Sequence, residues 1–285
     1  MVVLFKTTDN KKMTNLNKIE KSALFMRKKI LEVSHNCGIS AHLGGGLSMV
    51  EIMAVLYTHV LKIDNSNPHW PQRDRFILSK GHGVLGFYSA LLVAKIIDED
   101  EYSSFQTNES NLIAHPVMNL DLGIESSNGS LGQGLSMGIG IALGAKIKNK
   151  SFKTYVLLGD GECDEGSVWE AVMLAPQLNL DNLVAIVDYN KLQSDGDKVI
   201  DLSDLASKFE GFGWDTYNVD GHNIGRLLEA FEAEHVNNKP KMIVANTIKG
   251  KGVSFMENDN AWHHNLLTKN KYEAALEELK ENYGN

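Results

Sequence analysis

Two stretches decide how this chain folds. Tyr155-Val-Leu-Leu-Gly-Asp-Gly161 is an apolar run closing in Gly-Asp-Gly, and Leu183-Val-Ala-Ile-Val-Asp188 is a second run closing in Tyr189-Asn190. Both are short, apolar and rich in β-branched residues, which reads as strand. Between them, 168–178 carries apolar residues at helical spacing. One strand–helix–strand unit of this length sets the two strand ends side by side. Asp160 and Asn190 then lie at the carboxyl edge of a sheet, where open α/β sheets bind ligands. Gly159 and Gly161 let a ligand approach the backbone there. Gly-Asp-Gly alone is a turn signal, and an Asn after a strand is an ordinary cap. The pair, each member closing a strand, offers two hard oxygens to one small cation. Mg²⁺ is usually held by one or two carboxylates plus substrate phosphates, and the backbone carbonyl of Leu192 is positioned to add a third protein oxygen.

Working outward, further short strand-like runs cover 75–79, 217–219 and 242–247. Helical patterns cover 48–61, 84–95, 131–148, 224–235 and 271–283, the first of them led in by Gly44-Gly45-Gly46. Near the start, Ile19, Ala23, Met26, Ile30 and Val33 mark a helix over 16–37. Strands alternating with amphipathic helices predict an α/β fold, a mainly parallel sheet with helices on both faces. Residues 1–13 are polar and unpatterned and are expected to be disordered, leaving a single domain over 14–285.

The chain has 285 residues, 43% hydrophobic and 22% charged, with a net charge of -8. Lys and Arg are scattered among Asp and Glu without a basic stripe, which argues against nucleic acid as a partner. The two cysteines, Cys37 and Cys163, are too few for a disulfide framework and fit a reduced cytoplasm. The apolar run near the start, 2–5, is far too short for a signal core or a membrane span. A soluble cytoplasmic protein is expected.

The Gly159–Asn190 pattern resembles the thiamine diphosphate signature of the transketolase-like enzymes, and other segments agree in order. Ser40-Ala-His42-Leu-Gly-Gly-Gly46 resembles the family's early glycine loop with its histidine. Arg73-Asp-Arg-Phe-Ile-Leu-Ser-Lys-Gly-His82-Gly83 resembles its "RDRFxLSxGHG" segment, and His115-Pro116 its "GHP", with Ala114 in place of glycine. Gly129-Ser-Leu-Gly-Gln-Gly134 resembles "GxLGQG", and residues 159–166 resemble "GDGxxxEG". Residues 215–221 and Thr247-Ile-Lys-Gly-Lys-Gly252 match later parts. The similarity runs from about residue 20 to the C-terminus. Deoxyxylulose-phosphate synthases share the region of His42 but lack the 73–83 pattern and the continuation supplied by Glu165-Gly166, so transketolase is the better match.

The resemblance implies that this chain binds thiamine diphosphate, which carries the electron sink for C–C cleavage while the protein orients it and moves protons. The metal is Mg²⁺, for which Ca²⁺ or Mn²⁺ can substitute, on Asp160, Asn190 and Leu192. Histidine suits proton transfer because its ordinary pKa of about 6.5 lies near working pH. By resemblance His42, His115 and His263 line the substrate channel, and His82 lies between cofactor phosphate and substrate. His263 is aligned in preference to His264. Gly129 and Leu131 approach the aminopyrimidine ring, and Gly159, Asp160, Gly161, Asn190, His82 and His263 contact the cofactor. Glu165 resembles the acidic residue beneath the cofactor that links paired active sites, while also favouring a helix dipole. Glu162 and Asp164 carry the dipole reading alone, and Cys163 that of a small filler.

In the family, a second domain binds the aminopyrimidine and supplies the Glu that activates the cofactor. No strand–helix series for it follows residue 265. The sequence therefore predicts the N-terminal subunit of a two-chain transketolase, acting with a C-terminal partner subunit on small sugars, most simply as α2β2. The buried seam is expected within 131–144, a stretch in which an internal core helix would look the same in sequence. Alternatives are a subunit of a deoxyxylulose-phosphate synthase-like enzyme or a 2-oxo-acid dehydrogenase, or a cofactor-binding module without turnover. The histidine motifs at 82 and 115 argue against the first two.

Overall fold

The computed structural model describes residues 3–284 except Asp195, Lys198 and His235, with side chains described from Asn15 onward apart from those of Asp197 and Tyr283. The chain runs α1 (Val3–Asn36), α2 (Leu43–Ser48), α3 (Val50–Val55), β1 (Arg75–Leu78), α4 (Val84–Val93), α5 (Glu99–Ser103), α6 (Gly134–Ile147) and β2 (Thr154–Gly159). It continues α7 (Gly166–Gln177), β3 (Leu183–Tyr189), β4 (Leu192–Gln193), β5 (Gly196–Asp197), α8 (Leu205–Gly211), β6 (Asp215–Asp220), α9 (Ile224–Glu232), β7 (Lys241–Asn246) and α10 (Lys269–Tyr283). A single turn of π-helix, Leu56–Val60, extends α3. The backbone of 3–13 continues α1 as helix, and Met1 and Val2 lie outside the described residues. His235, expected to end a helix, also lies outside them.

All five expected strands join one sheet in the order β1-β2-β3-β7-β6, and every pairing is parallel. Strands β2 and β3 are buried along their whole length, the pattern of a sheet covered on both faces. Side chains alternate between two cores. Phe76, Leu78, Tyr155, Leu157, Val184, Ile186, Ile243 and Ala245 face α1 to α4 and α9. Ile77, Val156, Leu158, Ala185, Val187, Met242 and Val244 face α6, α7 and α8. This is the period-two alternation of strands with helices packed on either side. On α1 the predicted positions Ile19, Ala23, Met26, Ile30 and Val33 are all buried.

Three differences from the sequence reading bear on the site. Gly44-Gly45-Gly46, read as a loop, forms the body of α2. There the missing side chains make room, since a Cβ on Gly44 would lie 3.0 Å from Lys249 Cγ and one on Gly46 would lie 2.9 Å from Leu85 Cβ. The short antiparallel pair β4–β5 follows Asn190 directly, a feature too brief to show periodicity. Helix α6 starts at Gly134 rather than at 131, so 131–133 form a turn in which Gly132 takes φ +80.

Candidate functional site

In the β2–β3 ladder Gly159 pairs with Asp188, so Asp160 and Asn190 emerge next to each other at the carboxyl edge. Asp160 caps a 3-10 turn over Gly161–Asp164, with Oδ1 accepting from the Gly161 N–H at 2.9 Å. Its Oδ2 accepts from the Lys191 N–H, which ties the loop after β2 to the loop after β3. The Asn190 Oδ1 accepts from the Leu192 N–H at 3.2 Å. Asp160, Asn190 and Leu192 line one cleft of about 140 Å³ with Gly159, Gly161, Leu131, His82 and His263. Lys80, Lys249, Gly45, Glu162, Gln193 and Ser194 complete its wall. Burial, with the neighbouring Asp188 adding to it, pushes the Asp160 carboxyl up to about 6. A bound cation would act the other way, because an opposite charge favours the ionised form. A larger concavity of about 1180 Å³ lies elsewhere, between α1 and the end of α4, and gathers none of these groups.

Two buried lysines line the cleft. Lys80 follows β1 and is 1% exposed; its ammonium pairs with Asp188 and donates to the Gly45 carbonyl at 3.0 Å. Asp188 also accepts from Ser48 and Thr247. Burial on its own raises the Asp188 carboxyl, but Lys80 and these donors hold it below its ordinary value. Lys249 reaches the cleft from the loop after β7, donating to the carbonyls of Leu192 at 3.3 Å and Gln193 at 3.2 Å and lying 2.8 Å from His263 Nδ1. Burial first, and Lys80 second, lower its pKa to about 8. Lys80 is already paired with Asp188, so it is the desolvated Lys249, held by carbonyls, an amide oxygen and an imidazole, that gains most from a phosphate ligand.

The histidines assemble as one cluster. His42 sits at its centre, with ring centroids 5.6 Å from His82, 5.7 Å from His115, 5.3 Å from His263 and 4.5 Å from His264. His82 and His263 are 5.4 Å apart and line the cleft itself. His42, entering α2, and His115 lie just beyond it. Burial, reinforced by His264 and His263, lowers His42 to about 3, and burial with Lys80 lowers His82 well below the ordinary range. His115 is lowered as well, by burial and then by His264. These rings are neutral near pH 7 and can accept or donate at either nitrogen once a substrate hydroxyl is within reach. His263 and His264 both join the cluster; His263 lines the cleft, and His264 is exposed outside it.

The remaining expected residues fall around the rim. A Cβ on Gly129 would lie 4.0 Å from His115 Cδ2, which places this glycine beside the cluster and outside the cleft wall. Glu165 is exposed at the N-terminus of α7, against Gly132. Glu162 departs from its sequence reading as a mere helix-dipole residue. It is buried, and its carboxylate accepts from Ser79 Oγ, from the Gly132 N–H at 2.8 Å and from the Gly159 N–H at 3.0 Å. Asp164 likewise accepts from Gln193 Nε2 at 2.7 Å. Cys163 fills space among apolar neighbours, and burial raises its thiol pKa. Sequence reasoning missed Lys80, Lys249, Glu162 and Asp188 as site groups. The available signal was a charged residue inside or next to an apolar strand, which must find a partner when buried.

The residues fit a diphosphate with a divalent metal. Among the described residues no cluster of three or more His, Cys, Asp or Glu could hold a metal alone. The available protein ligands are one carboxylate, one amide oxygen and one carbonyl, a set that Mg²⁺ completes with phosphate oxygens and water. The parallel α/β sheet thus carries at its carboxyl edge a cleft lined by Asp160, Asn190 and Lys249, with a histidine cluster at its mouth.

Comparison with known proteins agrees. Residues 29–285 match the family described as transketolase, thiamine diphosphate binding domain. The chain is 41% identical to the 6-deoxy-6-sulfo-D-fructose transketolase subunit SqwG of Clostridium sp. (strain MSTE9), over 92% of this chain and 96% of that one. It is 41% identical to an apulose-4-phosphate transketolase subunit of Actinobacillus succinogenes, over 93% and 97%. The transketolase structure from Leishmania mexicana superposes with a TM-score of 0.84 at 30% identity, over 92% of this chain but 41% of that one. The chain belongs to the transketolase family and corresponds to its N-terminal, thiamine diphosphate-binding part.

Proposed function

We propose that this chain is the N-terminal subunit of a two-chain transketolase, which moves a two-carbon ketol unit from a phosphorylated or sulfonated ketose to an aldose. The observation that carries this reading is the juxtaposition of the lysine-lined cleft with the cluster centred on His42. A module that only stored cofactor would need the cleft and not the histidines. Relatives named as subunits of sulfofructose and apulose-phosphate transketolases, matched over nearly their whole length, support the split arrangement.

In this reading Asp160, Asn190 and the Leu192 carbonyl hold Mg²⁺, and Lys249 and His82 face the diphosphate. When bound, thiamine diphosphate supplies the electron sink for breaking and forming a C–C bond beside a carbonyl. His42, His115 and His263 contact the sugar's hydroxyls and carbonyl oxygen and move protons there, while Gly129 and Leu131 border the aminopyrimidine. Glu165, exposed in the isolated chain, faces the partner and links paired sites. The domain spans 14–285, works in the cytoplasm, and assembles as α2β2. Among the described residues no helix is long and apolar enough to cross a membrane.

The partner-facing surface is read at α6. A Cβ added to Gly140 or Gly144 would meet nothing within 4 Å, and Met137, Ile147, Met173 and Leu174 stand exposed nearby on α6 and α7. Gly138, by contrast, packs inward, its virtual Cβ 2.4 Å from Val156 Cγ2. A core helix would leave no such apolar face uncovered, which favours the seam. The test is reconstitution. The chain alone should bind thiamine diphosphate weakly and turn nothing over, and adding a C-terminal transketolase half should restore ketol transfer together with a rise in sedimentation mass. Ordinary turnover by the purified chain alone would rule out the split enzyme.

A further inference from the structure

Behind the cleft lies a buried polar assembly that the proposed chemistry does not use. On α1, Arg27 is 1% exposed, and its guanidinium makes a two-pronged contact with Glu51 of α3, at 2.6 Å and 2.8 Å. The third Arg27 nitrogen, Nε, donates to the Lys251 carbonyl at 3.1 Å. The same Glu51 carboxylate meets His222 Nδ1 at 2.9 Å, and His222 Nε2 meets the backbone N–H of Ile248 at 2.8 Å. A backbone N–H can only donate, so Nε2 accepts and the ring proton sits on Nδ1, donated to Glu51. Burial alone would raise Glu51, but Arg27 and His222 lower it to about 2, so it stays an acceptor. The loop after β7 is thereby gripped one residue before Lys249 and two residues after it. The space on its far side is closed by α2, where the Gly250 N–H donates to the Gly44 carbonyl at 3.0 Å.

We propose that His222 is a positioning residue for Lys249: bridging Glu51 and the Ile248 N–H, it fixes the loop that delivers the Lys249 ammonium to the diphosphate cleft. Glu51 joins this grip to the one Arg27 makes on the Lys251 carbonyl, so both flanks of Lys249 hang from one carboxylate. Lys249 extends to four acceptors from that anchored backbone: Leu192 O, Gln193 O, Asn260 Oδ1 and His263 Nδ1. A long, flexible ammonium holds one such position only if its Cα is fixed, because its own rotamer entropy opposes ordering. The proposal rests on the diphosphate reading of the cleft, and it concerns how that cleft is held in shape.

The two ring nitrogens can be tested separately in the full-length chain. His222→Gln can set an oxygen where Nε2 lies and keep an acceptor for Ile248. His222→Asn can set its amide where Nδ1 lies, keeping the donor to Glu51 while leaving the Ile248 N–H unmet. One readout needs no ligand: the rate at which Lys249 is acetylated by acetic anhydride, followed by peptide mass spectrometry. The other is calorimetric binding of inorganic diphosphate with Mg²⁺. H222N should acetylate Lys249 several-fold faster and weaken diphosphate binding by about 10- to 100-fold, the usual scale for outer-shell partners, with H222Q, which keeps the direct grip on Ile248 but loses the link to Glu51, shifted the same way by clearly less. Unchanged Lys249 reactivity in H222N, or equal effects in the two variants, overturns the proposal. If H222N does not fold, Glu51→Gln must show the same rise in Lys249 reactivity, or the idea is wrong. Failure of the wild-type chain, alone and with its partner, to bind diphosphate would count against the cofactor reading alone, since the acetylation arm stands without it.

Discussion

Lys80 and Asp188 form an ion pair with side chains 1% and 0% exposed, joining the end of β1 to the end of β3 directly beneath the candidate diphosphate cleft. The pair is a structural floor: Asp188 also accepts from Ser48, Asn190 and Thr247, and it lies too deep to serve as a metal ligand beside Asp160. Breaking the pair from one side leaves a buried charge without compensation. Lys80→Ala should destabilise the chain by about 3–5 kcal/mol, and the double change Lys80→Met with Asp188→Leu by clearly less. Urea titrations of the three proteins check this. A single variant no worse than the double would show that the charge is already solvated.

Asp160→Ala should abolish Mg²⁺-dependent thiamine diphosphate binding while leaving the fold intact, because it removes the anionic member of the proposed metal set. Its carboxylate bridges Gly161 and Lys191, so a modest loss of local order in the 190–194 loop accompanies it. Normal cofactor affinity by calorimetry, with the partner present, would sink the metal assignment.

The histidine cluster predicts a division of effects. His42→Ala and His115→Ala should lower kcat by about 10²–10⁴-fold, the usual worth of a general acid/base group, and leave cofactor affinity alone. His82→Ala, whose ring lines the cleft, should weaken both. Steady-state kinetics and cofactor titration on the reconstituted enzyme separate the two outcomes, and unchanged rates for His42 and His115 variants would refute the proton-transfer role.

Two groups give opposite pH dependences to the metal-free chain. His42 is lowered from 6.5 to about 3, first by burial and then by His264 and His263. The unfolded chain therefore takes up a proton that the native state refuses, and stability is lost as pH falls from about 6.5 towards 3. Asp160 is raised from 3.8 to about 6, first by burial and then by Asp188, so its contribution is lost as pH rises through that interval. The slopes partly cancel. Asp160→Asn should unmask a steeper loss of stability on acidification, read as a larger pH shift of the thermal midpoint. An unchanged slope would mean that the Asp160 carboxyl is not raised in the native state.

The open face of α6 gives a prediction that separates folding from assembly. Gly140→Ala and Gly144→Ala should stabilise the lone chain by about 0.5–1 kcal/mol each, the ordinary gain from replacing glycine within a helix. Gly140→Leu and Gly144→Leu should also fold but fail to assemble with the partner, which sedimentation reports. Gly138→Ala should destabilise, because its Cβ meets Val156. Full assembly of the leucine variants would move the seam elsewhere.

By itself the sequence determined the sheet and the residues at its edge. Runs such as 155–158 and 183–188 are apolar on both faces and too short for helices, so their state follows from local chemistry. Asp160 and Asn190 close those runs, and parallel pairing of consecutive strands brings them together. The histidines were legible as parts of short motifs: His42 just before Gly44-Gly45-Gly46, His82 between Gly81 and Gly83, and His115 before Pro116. Only the tertiary structure decided what joins residues far apart in the chain. Lys80 and Asp188 stand 108 positions apart, Arg27 and Lys251 stand 224 apart, and no local pattern links either pair. Glu162 read as a helix-start acid until its burial brought three donors to it, and the glycines of α2 read as loop until neighbouring atoms filled the space where side chains would stand. Periodicity and turn propensity act over a few residues, whereas desolvation of a charge depends on everything packed around it. That is why strands and edge residues could be read in order, and why the partners that hold Lys249 and His42 in place could not.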